Sequence, residues 1–318
     1  MNYQFIQQGI APLFDGPQAR SAGRSRTLSL FRKRLQSIML LVCVTHALAL
    51  CGCGPTEEPI AIFLPMPQAI DFVNRNNEQI RGRLYGLGRW SGKITFEDGT
   101  FKTADGTFRL HYGRPSRLCF QTRGFGGKYF EVGCNEDVCW FWEQFEKDVM
   151  TIGTRQAMTD AAMERGIPIN AEELMDALGV LLVDPDTTGT NGARYRVDAD
   201  HHQLLYEQVV GAGQAVITKE YWLSRREPFL IERVLYRDAD GRVIMDARLA
   251  DYKRLAEGGA LVSKHVEIEW PLNQCALKLN FDRLKLYGDL DKIEFVSPDR
   301  REALDPRQRP PAEIVRRP

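Results

Sequence analysis

Between Gln68 and about Arg81 the apolar and small polar positions Ile70, Val73, Asn77, Ile80 and Leu84 recur at three- and four-residue spacing. That period predicts an amphipathic helix with a polar outer face. After Gly88 the period falls towards two. Runs of β-branched and aromatic residues at 89–97, 107–112, 117–123, 128–133 and 138–144, with a shorter one near Val149, read as strands. Asp98-Gly99 and Asp105-Gly106 read as the hairpin breaks between them. Strands this closely spaced form an antiparallel meander that curls into a barrel or half-barrel.

A helical interlude follows. Residues 155–165 are Ala- and Met-rich, and 170–179 opens on an Asn N-cap and closes on Gly179. Leu174, Met175 and Leu178 fall on one side of that second helix. Strands resume at 193–197, 204–209, 215–224, 229–236, 243–252, 264–270 and 276–286, with Asp240-Gly241 as a further hairpin turn. The fold class expected is mainly β (α+β), an incomplete antiparallel β-barrel with a helical lid, over residues 68–297. Residues 298–318 are rich in Pro, Arg and Asp with few apolar positions, so a disordered tail is expected.

The N-terminal region has a different logic. Arg32, Lys33 and Arg34 precede an apolar stretch that runs through Leu50. A basic region, a short apolar region and small residues form the pattern of a secretory signal, and about a dozen apolar residues fall short of the ~20 that a bilayer span needs. Leu50-Cys51-Gly52-Cys53 resembles the lipobox of bacterial lipoproteins. The resemblance implies cleavage after residue 52, acylation of Cys53, and, through Gly54 in the sorting position, lodging in the outer membrane. Residues 53–67, with Pro55, Pro59 and Pro65, read as a tether. The 42 basic and 42 acidic side chains of the whole chain balance, and loss of 1–52 leaves a slight acidic excess. Without a positive field, nucleic acid is excluded as a favoured partner.

Export permits disulfides. Cys134 and Cys139 flank Asn135-Glu136-Asp137, and a disulfide across that hairpin is the first choice. Cys119 and Cys275 leave the other pairings open. The cysteine spacing does not suit zinc. Asp198-Ala199-Asp200-His201-His202 is the densest group of metal-ligand types, but adjacent histidines on a strand point to opposite faces, so it reads as a polar turn. Asp238-Ala239-Asp240-Gly241 lacks the later ligands of a calcium loop. Gly124-Phe125-Gly126-Gly127-Lys128 precedes a strand and reads as a hairpin tip, not a phosphate cradle. No nucleophile elbow or metalloprotease motif occurs. His111 and His265 have no sequence partner that marks a triad. No cofactor, metal or catalytic residue is predicted.

Aromatic surface is abundant instead. Residues 138–142 are apolar at every position, so both faces of that strand must be covered. Trp90, Phe120, Phe130, Trp140 and Trp142 are the expected wall of an apolar pocket, with Leu174 and Leu178 as its lid. Alternation puts Trp140 and Trp142 on one face and Phe141 on the other. Such a pocket suits an acyl chain; an envelope scaffold with a filled core is the alternative. Phe125, on a glycine-rich tip, is the candidate for membrane or partner contact.

The order of elements resembles the LolA/LolB superfamily of bacterial lipoprotein carriers and receptors. The carrying residues are the leading helix with Leu87-Gly88-Arg89-Trp90-Ser91-Gly92-Lys93-Ile94, the segment Ile167-Pro168-Ile169 with Leu174 and Leu178-Gly179, and the Asp238–Gly241 hairpin. The resemblance implies an unclosed barrel covered by helices, acyl chains or lipoproteins as partners, and no catalysis. Its own anchor sets the chain nearer the receptor branch than the soluble carriers.

Overall fold

The computed structural model describes residues 60–95, 99–124, 130–144, 148–158, 169–184, 193–210, 214–256, 259–288, 293–301, 304 and 310–317. The expected signal region, Cys53 and Phe125 lie outside them.

Helix α1 (Met66–Glu78) starts where Pro65 and Pro67 fix the backbone of its first turn and buries Ala69, Ile70, Val73 and Asn77. A first meander follows: β1 (Arg83–Thr95), β2 (Phe101–Gly113), β3 (Arg117–Gly124), β4 (Phe130–Cys134), β5 (Cys139–Glu143) and β6 (Val149–Gly153). Helix α2 (Ala171–Ala177) intervenes. A second meander comprises β7 (Ala193–Val197), β8 (His201–Val210), β9 (Gln214–Ser224), β10 (Ile231–Arg237), β11 (Val243–Arg254), β12 (Leu261–Trp270) and β13 (Cys275–Tyr287). Short α3 (Pro298–Arg301) and β14 (Glu313–Arg316) end the described chain.

The two meanders form one sheet because β1 pairs antiparallel with both β2 and β13. Strand order runs β14-β6-β5-β4-β3-β2-β1-β13-β12-β11-β10-β9-β8-β7. The terminal strands β14 and β7 do not pair, so the fold is mainly β with an unclosed, almost wholly antiparallel sheet. Among the described strands only β14 runs parallel to its neighbour, β6.

Two expectations are corrected here. Asp105-Gly106 is not a turn: β2 runs through it, with Gly106 opposite both Trp90 and Gly124. A Cβ on Gly106 would lie 1.9 Å from the Arg123 carbonyl oxygen, so the glycine serves a close approach of strands. Residues beyond 298 are not simply a disordered tail. Arg301 is buried and β14 extends the sheet, because one buried ion pair fastens a segment whose composition is otherwise polar. The described part of the tether is also fastened. Ile62 N–H donates to the Arg225 carbonyl at 2.8 Å, and the Tyr195 hydroxyl donates to the Leu64 carbonyl at 2.5 Å.

Candidate functional site

Alternation sends Phe108, Leu110, Phe120, Phe130, Val132 and Phe141 to the concave face. Their rings pack together, with Trp90 T-shaped on Phe130 at 5.8 Å and Phe130 stacked on Phe141 at 6.1 Å. Into this concavity runs α2. Its Asn170 cap accepts from the Glu173 N–H at 2.8 Å, and the helix stops before Gly179, at φ 66°. Ala171, Leu174, Met175, Ala177 and Leu178 are all buried in the same core. The expected pocket wall (Trp90, Phe120, Phe130) and lid (Leu174, Leu178) therefore do meet. Among the described residues they meet as packed core, with a small void of about 10 Å³ where Trp90, Ile94, Phe130, Ile169, Trp270 and Cys275 converge at one end of the strands. We refer to this as the mouth.

Polar ties hold the helices in place. Asn77 donates to the carbonyls of Gly179 (3.0 Å) and Leu181 (2.7 Å). Asn74 exchanges two 2.8 Å bonds with Val183, and Asn76 exchanges two with Leu261. Three asparagines of α1 thus clamp the segment after α2 and the start of β12. Asp176 of α2, buried, accepts from Tyr221 OH at 2.6 Å and Lys219 Nζ at 2.7 Å, and also from Tyr236 OH. Burial, and then the Asp176 charge, push the Tyr221 and Tyr236 hydroxyls well above the ordinary tyrosine range, so both stay donors. Half-buried Glu173 is raised to about 7 by desolvation, opposed by Asn170 and by the Trp270 indole. None of these ties was legible beforehand. Asn77 fitted the helical period as a core position, and Asp176 carries no spacing that announces its tyrosines.

The placement of Trp140 and Trp142 is a correction. They do share a face opposite Phe141, but it is the outer face, where they cluster with Met150 and Ile152. A Cβ on Gly133 would lie 2.1 Å from the Trp140 ring, so the absent side chain lets the indole lie flat on the sheet. Trp140 Nε1 donates to Glu131, and Trp142 Nε1 to Asp148, each at 2.9 Å. Residues 293–301 cover this face: Arg301 donates to both Glu131 carboxylate oxygens, at 2.6 and 2.9 Å. Cys119 lies against the same pair, and its thiol is pushed well up by burial. Burial likewise lowers His111 to about 4, so the imidazole that receives Arg83 Nη1 at 2.9 Å is neutral.

Cys134 and Cys139 face each other across the β4–β5 turn with a Cα separation of 4.0 Å and are disulfide-bonded. Cys119 and Cys275 are free thiols, both buried. His202 points inward to Tyr195 and Ile62, whereas His201 points outward to Glu232 at 3.2 Å. Among the described residues no group of three or more His, Cys, Asp and Glu is placed to hold a metal ion. Open grooves of about 860 and 510 Å³ lie on the second meander, lined by mixed charged and apolar side chains.

No family model and no curated protein sequence matches the chain. Among solved structures it is similar to a DUF1329 family protein from Desulfovibrio piger, at 13% identity and a TM-score of 0.46, over 74% of this chain and 98% of that one. It is similar also to a protein from Vibrio parahaemolyticus described as an outer membrane lipoprotein-sorting protein domain (10% identity, TM-score 0.42). A LolA superfamily protein from Nitrosomonas europaea gives 10% identity and a TM-score of 0.41. Each of the last two matches covers 72% of this chain and 97% of the other.

Proposed function

We propose that this is a lipid-anchored protein of the bacterial cell envelope, at the periplasmic face of the outer membrane, that holds acyl chains of lipids or lipoproteins on its concave face without catalysis. The observation that carries the reading is the position of α2. A short helix packs within an apolar, unclosed sheet, and its Leu174, Met175 and Leu178 occupy the volume that a hydrocarbon chain would take. Its hold on the sheet's second meander centres on one carboxylate, Asp176. Displacing α2 exchanges one apolar partner for another, and each methylene buried contributes about 0.8 kcal/mol. Acyl chains enter at the mouth between Trp90, Phe130 and Trp270. The Phe125 connection joins β3 and β4 at that same end and is proposed as the partner-facing loop.

The packed interior favours a second reading, an envelope scaffold that binds nothing there. Native mass spectrometry and organic extraction of the purified protein separate the two. Co-purifying lipid beyond that attached at Cys53 supports the carrier, and its absence together with no uptake of added fatty acid supports the scaffold.

A further inference from the structure

The strands have two distinct ends. The mouth lies where β12 turns into β13 and β3 ends at Gly124. The opposite end gathers the starts of β8, β10 and β12 and the close of β9. Across that opposite end lie α1 and the segment leading into it. Phe72 packs at a tilt against Phe229, with ring centroids 4.9 Å apart, and Asn76 binds Leu261. The Ile62 carbonyl accepts from His202 Nε2 at 3.1 Å and Arg225 Nε at 3.4 Å, and its N–H donates to the Arg225 carbonyl.

The backbone is therefore fixed at Ile62 and Leu64, and while the Leu64 side chain is buried those of residues 60–63 are turned outward. Ile60 is 83% exposed, Phe63 63% and Ile62 41%, and Phe72, beside the same 225–229 loop, is 36% exposed. Large side chains exposed on a fastened backbone form a surface, and contiguous surface of this kind marks a contact.

We infer that this end of the barrel, through Ile60, Ile62, Phe63 and Phe72, lies on the lipid bilayer, with the mouth turned away from it. The inference rests on acylation of Cys53. The seven steps of chain from Cys53 to Ile60 span at most about 25 Å. Strands of thirteen residues are about 40 Å long, so a barrel standing upright on its mouth would hold Ile60 beyond the reach of the tether. The same limit rules out an upright contact through Phe101 and Leu272, the large apolar side chains exposed at the mouth end.

Of the charges nearby, Arg75 pairs with Asp71 and Arg226 with Asp200, and Arg225 donates to backbone carbonyls. The contact is then apolar in character, with little dependence on anionic lipid or salt. A mouth held away from the anchoring membrane takes its chain from a donor in the aqueous space.

The test uses the full-length protein carrying Phe63→Cys or Leu272→Cys, nitroxide-labelled and reconstituted in vesicles of phosphatidylethanolamine and phosphatidylglycerol. Intact mass of each sample reports acylation. The label at 63 should lose collisions with a water-soluble nickel chelate and gain collisions with oxygen, while the label at 272 stays accessible to nickel. Acylated protein with the label at 63 in water, or with that at 272 in lipid, overturns the inference and leaves the anchor intact. Unacylated protein overturns the anchor; the label at 63 then decides the surface by itself, supporting it if shielded by lipid and rejecting it if not.

Discussion

Tyr221 donates its hydroxyl to Asp176 Oδ1 at 2.6 Å across the concave face, while Lys219 holds Oδ2 at 2.7 Å. A helix of seven residues has too few turns to stand alone, so this carboxylate is what ties α2 to the second meander. Asp176→Ala leaves two hydroxyls and an ammonium without their acceptor and should cost roughly 2–4 kcal/mol. Hydrogen exchange should speed up in 171–178 while β1 and β13 keep their protection. Binding of an apolar fluorescent probe should rise. Uniform acceleration over the whole sheet, with no gain in probe binding, would show α2 to be ordinary core.

Glu173 gives a pH dependence with a defined sign. Its folded pKa is about 7, raised from 4.5 chiefly by desolvation, so the folded state holds this proton more tightly than the unfolded one. The stability it contributes is complete below about pH 4.5 and is lost as pH rises to about 7. Glu173→Gln should therefore stabilise the protein above pH 7, by roughly 1–3 kcal/mol at most, and leave it unchanged at pH 4. Urea denaturation at the two pH values checks this, and an equal effect at both would refute the assignment.

Arg301 and Glu131 are 4% and 1% exposed. Removing one partner leaves a buried charge alone, so Arg301→Ala should destabilise by about 3–5 kcal/mol. Adding Glu131→Gln should recover part of that loss. A surface tail would show neither effect, and the pair of denaturation curves distinguishes the cases.

The Cys134–Cys139 bond encloses a short loop, which limits the gain from restricting the unfolded chain to about 2 kcal/mol. A non-reduced digest should yield the two peptides linked. Links to Cys119 or Cys275 would require opening a buried site and would contradict the arrangement.

Cys53→Ser should move the protein from the membrane fraction to the soluble fraction or leave it unprocessed. A processed product still recovered with the membrane would assign the anchor elsewhere.

The chain's own pattern determined the elements and the faces. Period-two alternation placed most of the strands described, and 3.6-residue spacing placed α1. The Asn170 cap and Gly179 bounded α2. Alternation also put Trp140 and Trp142 together and opposite Phe141, because the pleat is a local property. It could not say which face is concave. Sheet curvature and the cover over each face arise from contacts far apart in sequence, and here residues 293–301 claim the tryptophan face through Arg301 and Glu131, 170 residues apart. A composition-based reading of the tail missed this, since one buried ion pair does not alter an average. Asp105-Gly106 misled for a similar reason: glycine signals equally a turn and a close approach of strands, and only the neighbouring strand decides. Whether the apolar face encloses a cavity or a helix depends on how α2 folds back onto it, which is fixed by Asp176 meeting tyrosines of β9 and β10. Spacing records what one element presents. What fills the space between elements is decided only when they meet.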